Sequence, residues 1–141
     1  MPKNILILST SLRKDSNSDA LAAAFARGAA EAGHHAVMCS LRGKALGFCV
    51  GCLSCQKTKR CVIRDDAPAI VQQMKQADIL VFATPIYYYE MCGQMKTLLD
   101  RARIAHGRLL TNAETNSVKK EYIDKLMALR EAEAKKARQL K

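Results

Sequence analysis

A polar loop able to bind an anion occupies residues 9–18 of this chain of 141 residues. It combines hydroxyl side chains, an arginine and small turn-forming residues, and it lies between a short apolar run and an alanine-rich segment. Hydroxyl and guanidinium donors, free backbone N–H groups and the positive end of a helix would together favour a phosphate dianion. The same composition is typical of a polar turn in which a serine caps a helix. The loop therefore supports two hypotheses, a phosphate site and a capped turn.

A second loop, residues 84–93, follows another apolar run and contains three consecutive tyrosines, Tyr87, Tyr88 and Tyr89. Flat aromatic surface at the end of a buried strand suits the binding of a planar heterocycle. The alternative interpretation is that these rings cap the hydrophobic core or contribute to an oligomer interface. The residue types alone leave both interpretations open.

Four of the six cysteines lie within a segment of thirteen residues: Cys49, Cys52, Cys55 and Cys61. This spacing is compact enough for a four-thiolate iron–sulfur site, and Gly51 gives the backbone room to turn around a cluster. The same thiols could instead bind zinc, act as a redox-active set or stay free. Cys39 and Cys92 stand apart from this group and are interpreted as small buried hydrophobic residues.

The elements that must position these loops follow from the apolar pattern. Residues 18–32 are rich in alanine, carry Leu21 and Phe25 on one face and end at Gly33, which predicts a helix. Three short apolar runs bounded by polar turn residues predict strands: residues 5–8, 36–39 and 79–83.

A second predicted helix separates the last two strands. An acidic N-cap is expected at Asp65 or Asp66, Pro68 lies at the helix start, and the helix ends near Gln76. Strands that alternate with helices and are apolar on both faces predict an α/β fold with a doubly wound parallel sheet. Ligands of such sheets bind at the carboxyl ends of the strands, where both loops lie.

The first loop resembles the Ser-x-Arg-x-x-x-Asn-Ser/Thr phosphate loop of the NAD(P)H-dependent FMN reductases, a family of the flavodoxin-like superfamily. The matching residues here are Ser11, Arg13, Asn17 and Ser18. Their order relative to the second loop also matches that family.

The resemblance extends beyond the phosphate loop. Residues 77–88 and 94–101 are similar to the family's flavin-ring loop and the helix that follows it. The cysteine segment through residues 65–66 resembles the iron–sulfur flavoproteins and their cysteine-bearing relatives. Altogether the resemblance covers about residues 3–102.

The resemblance implies an oxidoreductase that binds flavin mononucleotide (FMN) and passes electrons from NAD(P)H through the flavin to an unidentified acceptor. The implied phosphate ligands are Ser11, Arg13, Ser16, Asn17 and Ser18. The residues implied to line the flavin ring are Pro85, Ile86, Tyr87 and Tyr88. No catalytic side chain is expected, because the protein supplies orientation and electrostatics for a hydride transfer to the flavin.

A [4Fe-4S] cluster on the four clustered cysteines is a further expectation from the resemblance, beside the alternatives of zinc and free thiols. A second hypothesis for the function is a shortened flavodoxin-like module that binds a partner or senses redox state without turnover.

Composition restricts the class of protein. Hydrophobic residues make up 49% of the chain and charged residues 26%, as in ordinary globular domains. No run approaches the ~20 apolar residues of a membrane span and no signal-peptide pattern is present, so we expect a cytoplasmic protein without membrane contact. The cytosol keeps thiols reduced, so a disulfide framework is not expected. The net charge of +10 is spread along the chain without a nucleic-acid-binding motif, so we expect no nucleic-acid partner.

The family pattern ends near residue 103. A flavodoxin-like sheet has strand order 2-1-3-4-5, but residues 104–141 contain no apolar run suited to the last two strands. Residues 118–140 instead predict a long amphipathic helix. We therefore predict an FMN-binding domain at 1–103 and a divergent, mainly helical extension at 104–141. The third strand would be a sheet edge that needs cover, either by a second chain or by this helix folded back or exchanged between chains, so we also predict a homodimer.

Overall fold

The computed structural model of the chain describes residues 1–102. Its elements in chain order are β1 (Asn4–Ser9), α1 (Asn17–Glu31), β2 (His35–Ser40), α2 (Ser54–Thr58), α3 (Ala67–Gln76), β3 (Ile79–Ala83), β4 (Ile86–Tyr87), β5 (Glu90–Met91) and α4 (Gly93–Arg101). The predicted strands and helices are present, with bounds within about one residue of those expected. Helix α2 and the β4–β5 hairpin were not predicted, because elements this short carry almost no periodic signal.

Strands β2, β1 and β3 form a parallel sheet in that order. The register pairs Ser9 at the end of β1 with Ser40 on one side and with Ala83 on the other. All three strands therefore end at the same level, and the loops that follow them emerge side by side at one edge. This order is the first part of the flavodoxin-like arrangement.

Strand β1 is buried on both faces, as expected for the central strand of a doubly wound sheet. Ile5 and Ile7 pack against Ala22 and Ala29 of α1. Side chains alternate along a strand, so Leu6 and Leu8 face the opposite layer, where α3 contacts β1 and α4. Helices on both faces of a parallel sheet confirm the predicted α/β fold class.

The large apolar residues of α1 do not form its buried face. Leu21 is 74% exposed and Phe25 is 46% exposed, whereas the side chains in the core are alanines. The prediction that the face with Leu21 and Phe25 packs against the core is therefore wrong, and Ala22 and Ala29 form the buried face. Small alanine side chains let the helix axis approach the sheet closely, and bulkier residues at those positions would hold it away.

The predicted helix ends are present. Gly33 follows α1 with φ of +81°, a conformation that favours glycine. Asp66 occupies the N-cap position of α3 but makes no side-chain cap. The carboxylate of the preceding residue, Asp65, accepts the hydrogen bond from the Ala67 N–H instead. Asp66 accepts one from the Ala45 N–H, which joins the helix start to the segment before it.

Several predictions concern residues that the structure does not describe. The long helix at 118–140, the missing strands of the sheet and the boundary near 103 all lie outside residues 1–102. Among the described helices, none has the length and apolar character required to cross a bilayer.

Candidate functional site

The two predicted loops line one cleft at the carboxyl edge of the sheet. Its volume is about 390 Å³, within the usual range for small-molecule sites. The lining residues are Ser11, Arg13, Ser16, Asn17, Ser18, Thr84, Pro85, Ile86 and Tyr87. All the predicted FMN residues except Tyr88 are in this set. The level ends of β1 and β3 explain the juxtaposition, because each loop leaves its strand beside the other.

One end of the cleft is rich in hydrogen-bond donors. Ser16 is the N-cap of α1, and its Oγ accepts from the Asp19 N–H at 3.1 Å. Asn17 and Ser18 are the first two helical residues, so their backbone N–H groups have no acceptor inside the helix. Ser11 is 2% exposed and Ser16 is 5% exposed, so their hydroxyls are held in place by the fold. This donor set at the positive end of a helix of fifteen residues suits a phosphate.

An unpredicted arginine balances the charge at this end. Asp19 lies in the first turn of α1, where its carboxylate would repel a bound phosphate. Arg42 donates to the Asp19 carboxylate at 2.7 Å and to the Arg13 carbonyl at 2.8 Å. It therefore offsets the acid and supports the loop backbone. A sequence signal for Arg42 was available, because it follows β2 by two residues and so lies at the same sheet edge as the first loop.

The carboxyl of Asp19 is ionised at neutral pH. The hydrogen bond from the Ser9 hydroxyl is the main reason that the pKa of Asp19 lies below its usual range. Burial acts in the opposite direction, and the contacts with Ser16 and Arg42 lower the pKa further. Asp19 thus acts as an ionised acceptor for Ser9 and Arg42 at this end of the cleft.

The other end of the cleft is formed by the β4–β5 hairpin and the residues before it. Ile86 and Tyr87 line the cleft, and 69% and 59% of their surfaces are exposed. Adjacent apolar and aromatic surface of this kind is typical of a binding site. Tyr88 and Tyr89 form the tip of the hairpin, with φ of +49° and +65°, and both are almost fully exposed. Tyr88 therefore lies beyond the cleft lining in this structure.

Cys92 is near the end of the second loop and is 1% exposed. Its thiol is 3.1 Å from the Thr10 Oγ1 and 3.3 Å from the Thr84 Oγ1. Burial raises the pKa of the thiol, but hydrogen bonds with Thr10, Thr84 and the start of α4 outweigh that effect, and the pKa lies below its ordinary value. The interpretation of Cys92 as a small hydrophobic residue is therefore incomplete, since it is buried and also hydrogen-bonded.

The clustered cysteines are outside the cleft. All four thiols are free; Cys49 and Cys52 are exposed, and Cys55 and Cys61 are half-buried. Within residues 1–102, no set of three or more Cys, His, Asp or Glu side chains is arranged to hold a metal ion. The described arrangement does not bring three or more of these thiols together as ligands, so we derive no chemistry through a metal here. Their role as metal ligands stays a prediction.

Comparison with known proteins agrees with the fold. Residues 3–131 match the family described as NADPH-dependent FMN reductase. The chain belongs to this family of flavodoxin-like proteins. The match continues about thirty residues past the point where the sequence analysis placed the end of the family pattern.

Several curated proteins are similar to this chain. An uncharacterized Escherichia coli protein, YjbD, is 83% identical over 48 residues, which are 34% of this chain and 53% of that protein. An iron-sulfur flavoprotein of Methanocaldococcus jannaschii is 33% identical over 99 residues, 70% of this chain and 51% of that protein. One from Methanosarcina thermophila is 30% identical over 95 residues, 67% of this chain and 50% of that protein. The chain thus spans about half the length of these relatives.

Proposed function

We propose that this chain binds FMN in the cleft between residues 9–18 and 84–93 and transfers electrons from NAD(P)H through the flavin to an acceptor. The observation that supports this most is the single cleft that both loops line. It combines hydrogen-bond donors at one end with apolar and aromatic surface at the other. These two ends suit the phosphate and the flavin ring of FMN, respectively. Membership of the FMN reductase family supports the same cofactor.

The residues of the first loop would bind the phosphate. Ser11, Ser16, Asn17 and Ser18 all line this end of the cleft, and the free N–H groups of Asn17 and Ser18 support this role. Arg13 is exposed at the cleft wall, from which its guanidinium could add a charge-assisted hydrogen bond. A helix N-terminus and two buried hydroxyls distinguish a phosphate from a neutral ligand.

The residues of the second loop would orient the ring. Pro85, Ile86 and Tyr87 present an apolar wall that excludes water from one side of a planar ligand. When bound, FMN supplies the chemistry of hydride acceptance. No general acid or base among the described residues is needed for this role. Pro85, Ile86 and Tyr87 would hold the ring in a fixed orientation against this wall.

The test is a titration of the purified full chain with FMN, followed by flavin fluorescence and visible absorbance. We expect saturable binding, and oxidation of NADPH or NADH by the loaded protein in the presence of an artificial electron acceptor. Binding without turnover would support the alternative, a module that senses redox state or binds a partner. Absence of binding to FMN would refute the proposal.

A cluster on the cysteine segment is a separate proposal, supported by the names of the archaeal relatives and by the spacing of the four thiols. Iron and acid-labile sulfide in similar amounts in anaerobic protein would support it. Zinc without sulfide would identify a structural site. Because none of these cysteines lines the cleft, we expect Cys-to-Ser variants to retain FMN affinity whatever the metal content.

The homodimer also stays a proposal. In the described part of the chain, β3 is an edge of the sheet, and Ile79 and Phe82 are 41% and 45% exposed there. Exposed strand edges with apolar side chains promote association. Light scattering of the full chain tests it, with a mass of two chains expected and a monomer contradicting it.

A further inference from the structure

Cys92 links the backbones that lead into the two halves of the cleft. Thr10 immediately precedes Ser11 of the phosphate loop, and Thr84 immediately precedes Pro85 of the ring loop. The Cys92 thiol contacts both threonine hydroxyls, although Thr10 and Cys92 are 82 residues apart in sequence. The Cys92 N–H also donates to the Thr84 Oγ1 at 3.2 Å. One buried residue is therefore bonded to the start of each loop.

The hydrogen bonds around Cys92 connect the two threonines. The Thr84 hydroxyl has two acceptors within reach, the Cys92 sulfur at 3.3 Å and the Pro85 carbonyl at 3.1 Å, and the Cys92 thiol donates to the Thr10 Oγ1 at 3.1 Å. The Thr10 hydroxyl in turn donates to the Ala83 carbonyl at 3.3 Å, and the Thr10 N–H donates to the same oxygen at 3.0 Å. Thr10 and Cys92 are each 1% exposed, so water does not compete for these groups. Buried chains of this kind hold their members at fixed separations.

We propose that Cys92 is a positioning residue: its thiol sets the distance between the phosphate loop and the ring loop, so that one FMN molecule can engage both. This inference rests on the proposed function of the cleft. FMN carries its phosphate and its ring at a limited range of separations, and a cleft preorganised to that separation binds it more tightly. A ligand that contacts only one loop gains nothing from the spacing.

The test compares three ligands in the Cys92→Ala variant: FMN, riboflavin and inorganic phosphate. FMN contacts both loops, whereas riboflavin lacks the phosphate and inorganic phosphate lacks the ring. We expect the FMN Kd to rise about tenfold, as for loss of a buried hydrogen-bonded link, and the other two Kd values to change less than about twofold. An equal loss for all three ligands, or no loss for FMN, would overturn the proposal.

Two further variants separate positioning from general damage to the fold. Cys92→Ser retains a donor and an acceptor, so we expect it to recover most of the FMN affinity that Cys92→Ala loses. Val71→Ala truncates a residue of α3 that is 1% exposed and lies outside the cleft lining. It should lower stability without raising the FMN Kd. If Cys92→Ala does not fold, Thr84→Val removes one link of the same chain and takes its place in the comparison.

Amide hydrogen exchange of the protein without ligand tests the link independently of FMN. In Cys92→Ala we expect faster exchange at the amide of Thr10 and at the amide of the substituted position, relative to the amides of α3. Unchanged exchange at both positions would overturn the positioning role even if the cleft binds FMN. If the natural chain does not bind FMN, the proposed function fails, and accelerated exchange would still show that Cys92 couples the loops.

Discussion

The guanidinium of Arg101 and the carboxylate of Asp65 form a buried bidentate salt bridge, with N–O distances of 2.6 and 2.8 Å. Their side chains are 1% and 7% exposed. Arg101 also donates to the carbonyl of Gly47 at 2.8 Å, and the Gly47 N–H donates to Asp65 at 2.8 Å. The pair therefore joins α4 to both ends of the segment that contains the clustered cysteines.

Replacing Arg101 with Met should lower the free energy of unfolding by about 3 kcal/mol, because it leaves the Asp65 carboxylate buried without its cation. Urea denaturation of both proteins measures the difference. The control is Lys96→Met, which removes the exposed ion pair with Asp100 on the same helix and should cost less than about 1 kcal/mol. Equal losses in the two variants would show that the buried pair has no special role.

Stability should fall in acid. Burial raises the pKa of Asp65, but the hydrogen bonds from Arg101, Gly47 and Ala67 together outweigh it, and the net pKa is below the ordinary value. Such a carboxylate stabilises the fold fully above its unfolded-state pKa of about 3.9, and this contribution disappears as the pH falls through the lower folded-state pKa. We expect the free energy of unfolding to decrease below about pH 4.

A variant identifies the carboxyl responsible. Asp65→Asn should be less stable at neutral pH and should show a shallower decrease below about pH 4. Denaturation curves at a series of pH values measure this, with Asp100→Asn as an exposed control that keeps the slope of the natural chain. A slope in Asp65→Asn as steep as in the natural chain would assign the acid sensitivity to other groups.

The double substitution Ser11→Ala with Arg13→Ala should weaken FMN binding by about 2 to 4 kcal/mol, through loss of one charge-assisted and one neutral hydrogen bond. Fluorescence titration gives the Kd. Riboflavin should bind both proteins alike, since it has no phosphate. An FMN Kd unchanged by the double substitution would exclude this loop as the phosphate site.

Arg42→Gln should raise the FMN Kd by about tenfold, because the Asp19 carboxylate is then left uncompensated at the phosphate end. The effect should weaken in high salt, which screens the repulsion. Arg27→Gln removes the same charge from the exposed surface of α1 and serves as the control. If the two variants bind FMN equally well, Arg42 has no specific role at the cleft.

Residues that favour a positive φ should stabilise the turn at the tip of the β4–β5 hairpin. Tyr88 and Tyr89 both have positive φ, which a two-residue hairpin turn requires and which Asn-Gly adopts with less strain. Tyr88→Asn with Tyr89→Gly should therefore raise the free energy of unfolding by about 1 kcal/mol. Thermal denaturation tests this. A less stable variant would show that the exposed tyrosine rings contribute contacts that exceed the backbone strain.

The main elements and most of the candidate site could be predicted from local patterns. Apolar runs of strand length identified β1, β2 and β3, and polar residues directly after β1 and β3 identified both loops, because the topology of a parallel sheet brings strand ends together. The buried face of α1 was not predictable from hydrophobicity, since close packing selected Ala22 and Ala29 over the larger Leu21.

The sequence by itself determined the strand and helix positions, the fold class and the residue types at the cleft, since these depend on periodicity and on neighbours along the chain. Only the tertiary structure decided which distant side chains meet. Arg42 reaches Asp19, Arg101 reaches Asp65, and Cys92 reaches Thr10 across 82 residues. Such contacts depend on strand register and on the packing of helices against the sheet. No local pattern encodes the distance between two loops. Here the buried Cys92 thiol contacts a threonine in each of them.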